Sequence, residues 1–143
     1  MNIHQISVFL ENRTGQLAEI THLLAENHVD IRAISIAETS DYGIARMIVD
    51  DSQKASAILL EHGDILSMTP VWAVEVPDRP AGLAEALAVL AENHVDVEYM
   101  YSLFTHREGM AYMGMRVSDE PRCLSTLGDR KIRIVGMEEL GLK

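Results

Sequence analysis

Cysteine is nearly missing from this 143-residue chain: Cys123 stands alone. An intrachain disulfide is therefore excluded, which fits a reducing compartment and gives the expectation of a cytoplasmic protein. Positive charge is also scarce, with 12 Lys and Arg against 22 Asp and Glu and a net charge of −10. No window carries a basic stripe, so nucleic acid and anionic membrane surfaces are excluded as partners. Arg130, Lys131 and Arg133 cluster, but Glu138 and Glu139 follow and the group reads as a solvated turn and strand. No apolar run approaches the ~18 residues that a membrane span needs. The opening residues begin a strand pattern with no basic segment before an apolar one, so no signal peptide is expected. Low-complexity segments are missing too, and 48% hydrophobic residues indicate a globular chain. The eight methionines are expected as core fillers.

The motifs of common enzyme classes are equally absent. There is no P-loop, no G-x-G-x-x-G and no nucleophile-elbow glycine pattern around Ser7, Ser35 or Ser102. Cys123 lies beside Leu124 and Leu127 on the apolar side of an expected helix and reads as core. Six histidines include no H-x-x-H or H-E-x-x-H spacing. His22 and Glu26 are four apart on a helix, and two ligands are too few for a metal site. No catalytic residue, cofactor or metal is expected.

What the chain does have is itself, twice. Residues 12–31 and 78–97 align without a gap at an offset of 66, with 11 of 20 positions identical, including the run Leu24 to Asp30 against Leu90 to Asp96. A repeat of this kind divides the chain into two copies of one unit, 1–70 and 71–143. Units of about 70 residues are marginal alone and need partners.

In the first copy the alternation of Ile6, Val8 and Leu10 marks a strand. From Gln16 the period changes, and Leu17, Ile20 and Leu24 mark a helical stripe ending at Asn27, expected as a left-handed C-cap, with His28 exposed in the turn after it. Residues 31–38 and 44–50 follow as strands joined by a hairpin turn at Ser40 to Gly43, with Gly43 at positive φ. Ser52 is expected to cap a second helix to about His62, and Ile65 to Met68 forms a short last strand. The second copy repeats the order with strands 71–76, 97–104, 110–117 and 131–136 and helices 82–93 and 120–128. A two-residue insertion after its third strand aligns Asp51 with Asp119. Each copy is thus βαββαβ, an α+β ferredoxin-like unit with two helices on one face of an antiparallel sheet. The other face is expected to want a partner, with Tyr99, Met100, Tyr101, Leu103 and Phe104 supplying apolar surface.

The loop after the first strand is the best candidate site: Asn12, Arg13, Thr14, Gly15, Gln16 and Leu17 in one copy, Asp78, Arg79, Pro80, Ala81, Gly82 and Leu83 in the other. Each joins a strand end to a helix start. Unpaired N–H groups there suit a carboxylate, and Asn12 or Asp78 suits an ammonium group. Together they would recognise a free α-amino acid. The same residue types also serve a tight strand-to-helix turn for geometry alone. Arg13 and Arg79 either clamp a carboxylate or pair with Glu19 and Glu85.

The pattern [D/N]-R-[P/T]-G-x-L between strand and helix, in a duplicated βαββαβ unit, resembles the ACT domain, and the whole chain resembles stand-alone tandem ACT proteins without a catalytic domain. The resemblance implies a regulatory protein that binds an amino acid between two ACT units. Contacts would come from the loop residues of one unit and from strand residues facing it, Tyr99, Met100, Tyr101 and Ser102 or Ala33 to Ile36. It implies a free-standing amino-acid sensor or, alternatively, a regulatory subunit docking on an amino-acid biosynthetic enzyme; a homodimer is expected because the exposed sheet faces and edges of two small units want partners. Thr14 and Ala81 depart from the family pattern, with Gly82 one place late. If the Ala81 position requires positive φ, either the alanine is strained or the loop changes shape.

Overall fold

The computed structural model describes residues 2–11, 13–38 and 41–143. Its elements run β1 (Ile3–Glu11), α1 (Gln16–Glu26), β2 (Ile31–Glu38), β3 (Tyr42–Val49), α2 (Ser52–His62), β4 (Leu66–Pro77), α3 (Gly82–Glu92), β5 (Val97–Ser102), β6 (Met110–Val117), α4 (Glu120–Asp129) and β7 (Ile134–Val135). The chain divides into two compact units, His4–Pro70 with Gly141–Lys143, and Val71–Leu140 with Met1–Ile3. The expected fourth strand of the first copy and first strand of the second are one element, β4.

In the first unit the order is β2-β3-β1, followed by the start of β4. All pairings recorded there are antiparallel, and Phe9 N–H donates to the Ile65 carbonyl at 2.9 Å. Ile6, Val8 and Leu10 of β1 and Ala45, Met47 and Val49 of β3 turn to one face. There they meet Ile20 and Leu24 of α1 and Ala55 and Leu59 of α2. Alternation in the strands and a 3.6-residue stripe in the helices therefore produce one core. The second unit repeats this with β5-β6-β4-β7. Trp72, Val74, Val76, Met115 and Val117 pack against Ala86, Leu90, Cys123 and Leu127. Burial pushes the Cys123 thiol up to about 11, so the thiolate nucleophile is suppressed.

The repeated A-E-N-H-V-D run has a structural explanation. Asn27 and Asn93 stay at negative φ, and their side-chain Nδ2 groups donate to the carbonyls of Leu23 and Val89 at 2.9 Å. The left-handed residue is the following histidine, His28 at φ 59° and His94 at φ 60°. The expected cap was thus one residue early, because the amide side chain takes over a helix-end carbonyl and hands the turn to its neighbour. Val29 and Val95 then plunge into their cores.

Two further expectations change. Gly43 lies within β3, paired with Leu10, and takes no positive φ, whereas Gly109 does at φ 76°. The turn residue Ser40 lies outside the described residues. The last strand of the second unit is only two residues long, and residues 136–140 turn back to bury Leu140.

Candidate functional site

Helix starts divide the four helices into two kinds. Asp51, one residue before the expected Ser52, caps α2 by accepting from Lys54 N–H at 3.1 Å, and Asp119 caps α4 by accepting from Arg122 N–H at 3.1 Å. At α1 and α3 no side chain among the described residues does this. These are the two helices that follow the repeated loops. Their first-turn N–H groups are left without a side-chain acceptor and carry the positive end of the helix dipole.

Gly15 stands before α1 at φ 89°, ψ −5°. A left-handed residue here turns the chain sharply from β1 into the helix. Gln16 follows and is 8% exposed, and its Oε1 is buried without a hydrogen-bond partner among the described residues. It lines a cleft of about 230 Å³ with Phe9, Glu11, Arg13, Glu19, His62, Gly63, Asp64 and Ile65. Arg13 Nη1 lies 3.2 Å from Glu19 Oε2, and the other oxygen of that carboxylate lies 3.2 Å from His62 Nε2. His62 Nδ1 in turn lies 2.8 Å from Asp64 Oδ2, whose side chain is 8% exposed. The hydrogen bond to Asp64, reinforced by the nearby Glu19, raises the pKa of His62. A chain of ionisable side chains, Arg13, Glu19, His62 and Asp64, therefore braces α1 against the α2–β4 turn, beside Gln16 in the same cleft.

The second loop is built differently. Ala81 takes the left-handed conformation at φ 71°, ψ −9°, so the loop keeps its shape and the alanine bears the strain. Gly82 is needed for another reason: a Cβ there would sit 2.0 Å from the Pro77 carbonyl oxygen. Arg79 N–H donates to that same carbonyl at 3.0 Å, and Gly82 N–H donates to the Arg79 carbonyl at 3.0 Å. The first bond has its counterpart in the first loop, where Arg13 N–H donates to the Glu11 carbonyl at 2.8 Å; the second draws this loop tighter, and the late glycine permits it. Arg79 Nη2 lies 2.9 Å from Glu85 Oε2. Arg13 and Arg79 thus both take the carboxylate of their own helix.

A cleft of about 300 Å³ also lies in the second unit, lined by Glu75, Val76, Pro77, Gly82, Glu85, Ala86, Val89, Arg130 and Ile132. With the two-residue insertion counted, it is the repeat counterpart of the first. Gly82 replaces Gln16, Pro77 replaces Glu11, Arg130 replaces His62 and Ile132 replaces Asp64. Glu85 keeps the place of Glu19, but the side-chain polar groups of Gln16, Glu11 and Asp64 have no counterpart in it.

A model of the ACT domain pair matches residues 1–140. The chain belongs to the ACT domain family. This ACT pair is similar to protein BT0572 from Bacteroides thetaiotaomicron, at 34% identity and a TM-score of 0.91, over 99% of this chain and 96% of that one. The regulatory subunit of aspartate kinase from Thermus thermophilus shares the fold at 16% identity and a TM-score of 0.65, over 88% and 91% of the two chains. Aspartate kinase from Synechocystis shares it at 19% identity and a TM-score of 0.57, over 90% of this chain but 26% of the kinase. No protein with a curated description matches.

Of the residues expected to bind in this ACT pair, Arg13 and Gln16 line the first cleft and Gly82 the second. Thr14 and Gly15 are exposed, Leu17 packs partly on the first core, and Asp78, Arg79, Pro80, Ala81 and Leu83 are exposed. Asn12 lies outside the described residues. In β5, Tyr101 lies over Gly114, where a Cβ would come within 3.0 Å of its ring, and it stacks on Tyr99 at 6.5 Å. Met100 packs on the helix-side core and Ser102 is exposed. None of these four lines either cleft. The sequence reading missed Glu11, His62 and Asp64 as cleft residues. The signal was present in the insertion-corrected repeat, where copy two replaces all three.

Replacing Ala81 with glycine should raise stability by about 0.5–1 kcal/mol, since relief of left-handed strain outweighs the entropy added to the unfolded chain. A higher urea midpoint with an unchanged slope is the expected result.

Proposed function

We propose that this protein is a regulatory ACT pair that binds a free amino acid at the first loop. The observation that carries the reading is the buried, unpartnered Oε1 of Gln16 at an uncapped helix start. A buried acceptor with no donor is costly, on the order of 1–3 kcal/mol. A ligand ammonium group would satisfy it, with Asp64 and Glu11 adding negative charge nearby. The ligand carboxylate would take the first-turn N–H groups from Gln16 onward. A small zwitterion meets both demands at once, which neither a simple anion nor a simple amine does. The second loop, drawn in by the bond from Gly82 N–H to the Arg79 carbonyl and without counterparts of Gln16, Glu11 and Asp64, serves structure. Binding would shift the population of the units toward the occupied arrangement. We place the protein in the cytoplasm as a homodimer.

A thermal-shift screen against the twenty amino acids tests this. A ligand at a hundred times its dissociation constant adds about 2.7 kcal/mol, a rise of roughly 5–10 °C for a chain of this size. Gln16→Met keeps the shape and removes the acceptor, and it should abolish the shift while raising the unliganded melting temperature by about 3 °C or more, since the cost of the unpaired acceptor is relieved. A shift that survives in Gln16→Met would remove the first cleft from consideration. The fold shared with the regulatory subunit of an aspartate kinase favours a second reading, docking on an amino-acid biosynthetic enzyme. A flat screen together with co-purification of such an enzyme would select it.

A further inference from the structure

The two clefts differ most in charge. The first brings together three carboxylates, Glu11 from the end of β1, Glu19 from α1 and Asp64 from the α2–β4 turn, against Arg13 and His62. In the second, Pro77 and Ile132 stand where Glu11 and Asp64 are, and Arg130 stands where His62 is. The fold therefore closes this loop without the acidic set, and its presence in the first unit answers to something other than the turn.

The three carboxylates are unequally supplied with partners. Glu19 is engaged on both oxygens, by Arg13 at 3.2 Å and by His62 at 3.2 Å. Asp64, its side chain only 8% exposed, has His62 at 2.8 Å as its one cationic partner among the described residues. A histidine supplies charge only while protonated, so a buried carboxylate held this way favours a further cation. Glu11 is open to solvent, and its ion pair with Arg13 spans 3.9 Å, longer than a hydrogen bond. Gln16, more than nine-tenths buried, brings to the same cleft an oxygen with no partner among the described residues. Acceptors are thus left over both in the buried part of the cleft and at its open edge.

We propose that the first cleft selects an α-amino acid whose side chain is positively charged, with Glu11 setting the preference. The inference rests on the amino-acid reading of this site and narrows it. The α-ammonium group takes the buried acceptors of Gln16 and Asp64, and the carboxylate takes the first-turn N–H groups of α1. The side-chain cation, an ammonium or guanidinium group, then lies against Glu11. A neutral side chain leaves Glu11 loosely held by Arg13. An acidic one adds negative charge to a cleft that already has an excess of it, and such like-charge opposition is how charge excludes the wrong ligand.

Isothermal titration calorimetry on the intact chain tests this with lysine and its neutral analogue norleucine, arginine and its neutral analogue citrulline, and glutamate. In at least one pair the charged member should bind about tenfold or more tightly, the size expected of one charge at a partly exposed site, and glutamate should bind weakest. The ratio should shrink in ~1 M salt, where screening acts beyond about 3 Å. Glu11→Gln should cut it about threefold, and its melting temperature checks that the fold is intact. Neutral analogues binding as tightly as their charged counterparts in both pairs would overturn the proposal while leaving the amino-acid reading in place. So would a ratio indifferent to Glu11→Gln, or glutamate binding best. A chain that binds none of the twenty amino acids overturns both.

Discussion

Gly82→Ala should cost about 3 kcal/mol or more and lower the melting temperature by roughly 10 °C. The added methyl would sit 2.0 Å from the Pro77 oxygen and 3.0 Å from its carbon. Both are backbone atoms, so no side-chain rotation relieves the overlap. Either the turn bond from Gly82 N–H to the Arg79 carbonyl breaks, or the end of β4 moves. Its counterpart Gln16 shows that the fold tolerates a large residue at this position in the other loop, where the bond equivalent to Gly82 N–H to Arg79 is not among those of the described residues. Gly15→Ala is the control: a Cβ there meets nothing within 4 Å, so only the left-handed strain of about 1–2 kcal/mol is at stake. Calorimetry that found the two variants equally destabilised would show that conformational strain, not contact, sets the position of the glycine.

Removing the Glu75 carboxylate should be the next largest effect. Its side chain is 5% exposed and takes Arg107 at 2.7 Å and 3.1 Å and Arg133 at 2.6 Å. Arg107 and Arg133 are 57% and 44% exposed, so the loss of Glu75 returns them to water rather than stranding buried charge. Glu75→Ala should therefore cost about 2–3 kcal/mol, the value of charge-assisted hydrogen bonds, and less than the ~3–5 kcal/mol of a broken, fully buried pair. The same group sets an acid limit. Hydrogen bonds from Arg107 and then Arg133 hold Glu75 down to about 2, and Arg133 and then Tyr112 hold Glu139 down to about 2. Depressed folded-state values mean stability that is complete above the ordinary carboxylate pKa of 4.5 and lost as pH falls from there toward 2. Urea midpoints measured between pH 6 and pH 2.5 should fall less steeply in Glu75→Ala than in the wild type. Parallel curves would refute the assignment.

Much of this architecture is legible in the sequence because it rests on local rules. The alternation of Ile6, Val8 and Leu10, the stripe of Ile20 and Leu24, and the 66-residue offset each state a period, and periods survive folding. Gly43 was misread because glycine in a hairpin sequence signals either a turn or a strand position. Only the pairing with Leu10 distinguishes them. The left-handed turn moved from Asn27 to His28 because the asparagine side chain competes for the helix-end carbonyl, a contact that residue preferences do not encode. The first cleft was half visible. Its loop announces itself through glycine and arginine, but His62 and Asp64 arrive from a turn some fifty residues later. Which residues of the repeat differ was readable; that the differing residues surround one space was not.

The continuous strand Leu66–Pro77 sets a rule of inheritance. Its even-numbered side chains serve the two cores in turn, Leu66 the first and Trp72, Val74 and Val76 the second. Most fused duplicates keep a slack segment in which length can drift. Here a single residue gained or lost near Pro70 would turn Trp72, Val74 and Val76 away from their helices. Elsewhere the copies differ in length, as the two extra residues before Asp119 show. At the join, the arithmetic of the pleat admits only even steps.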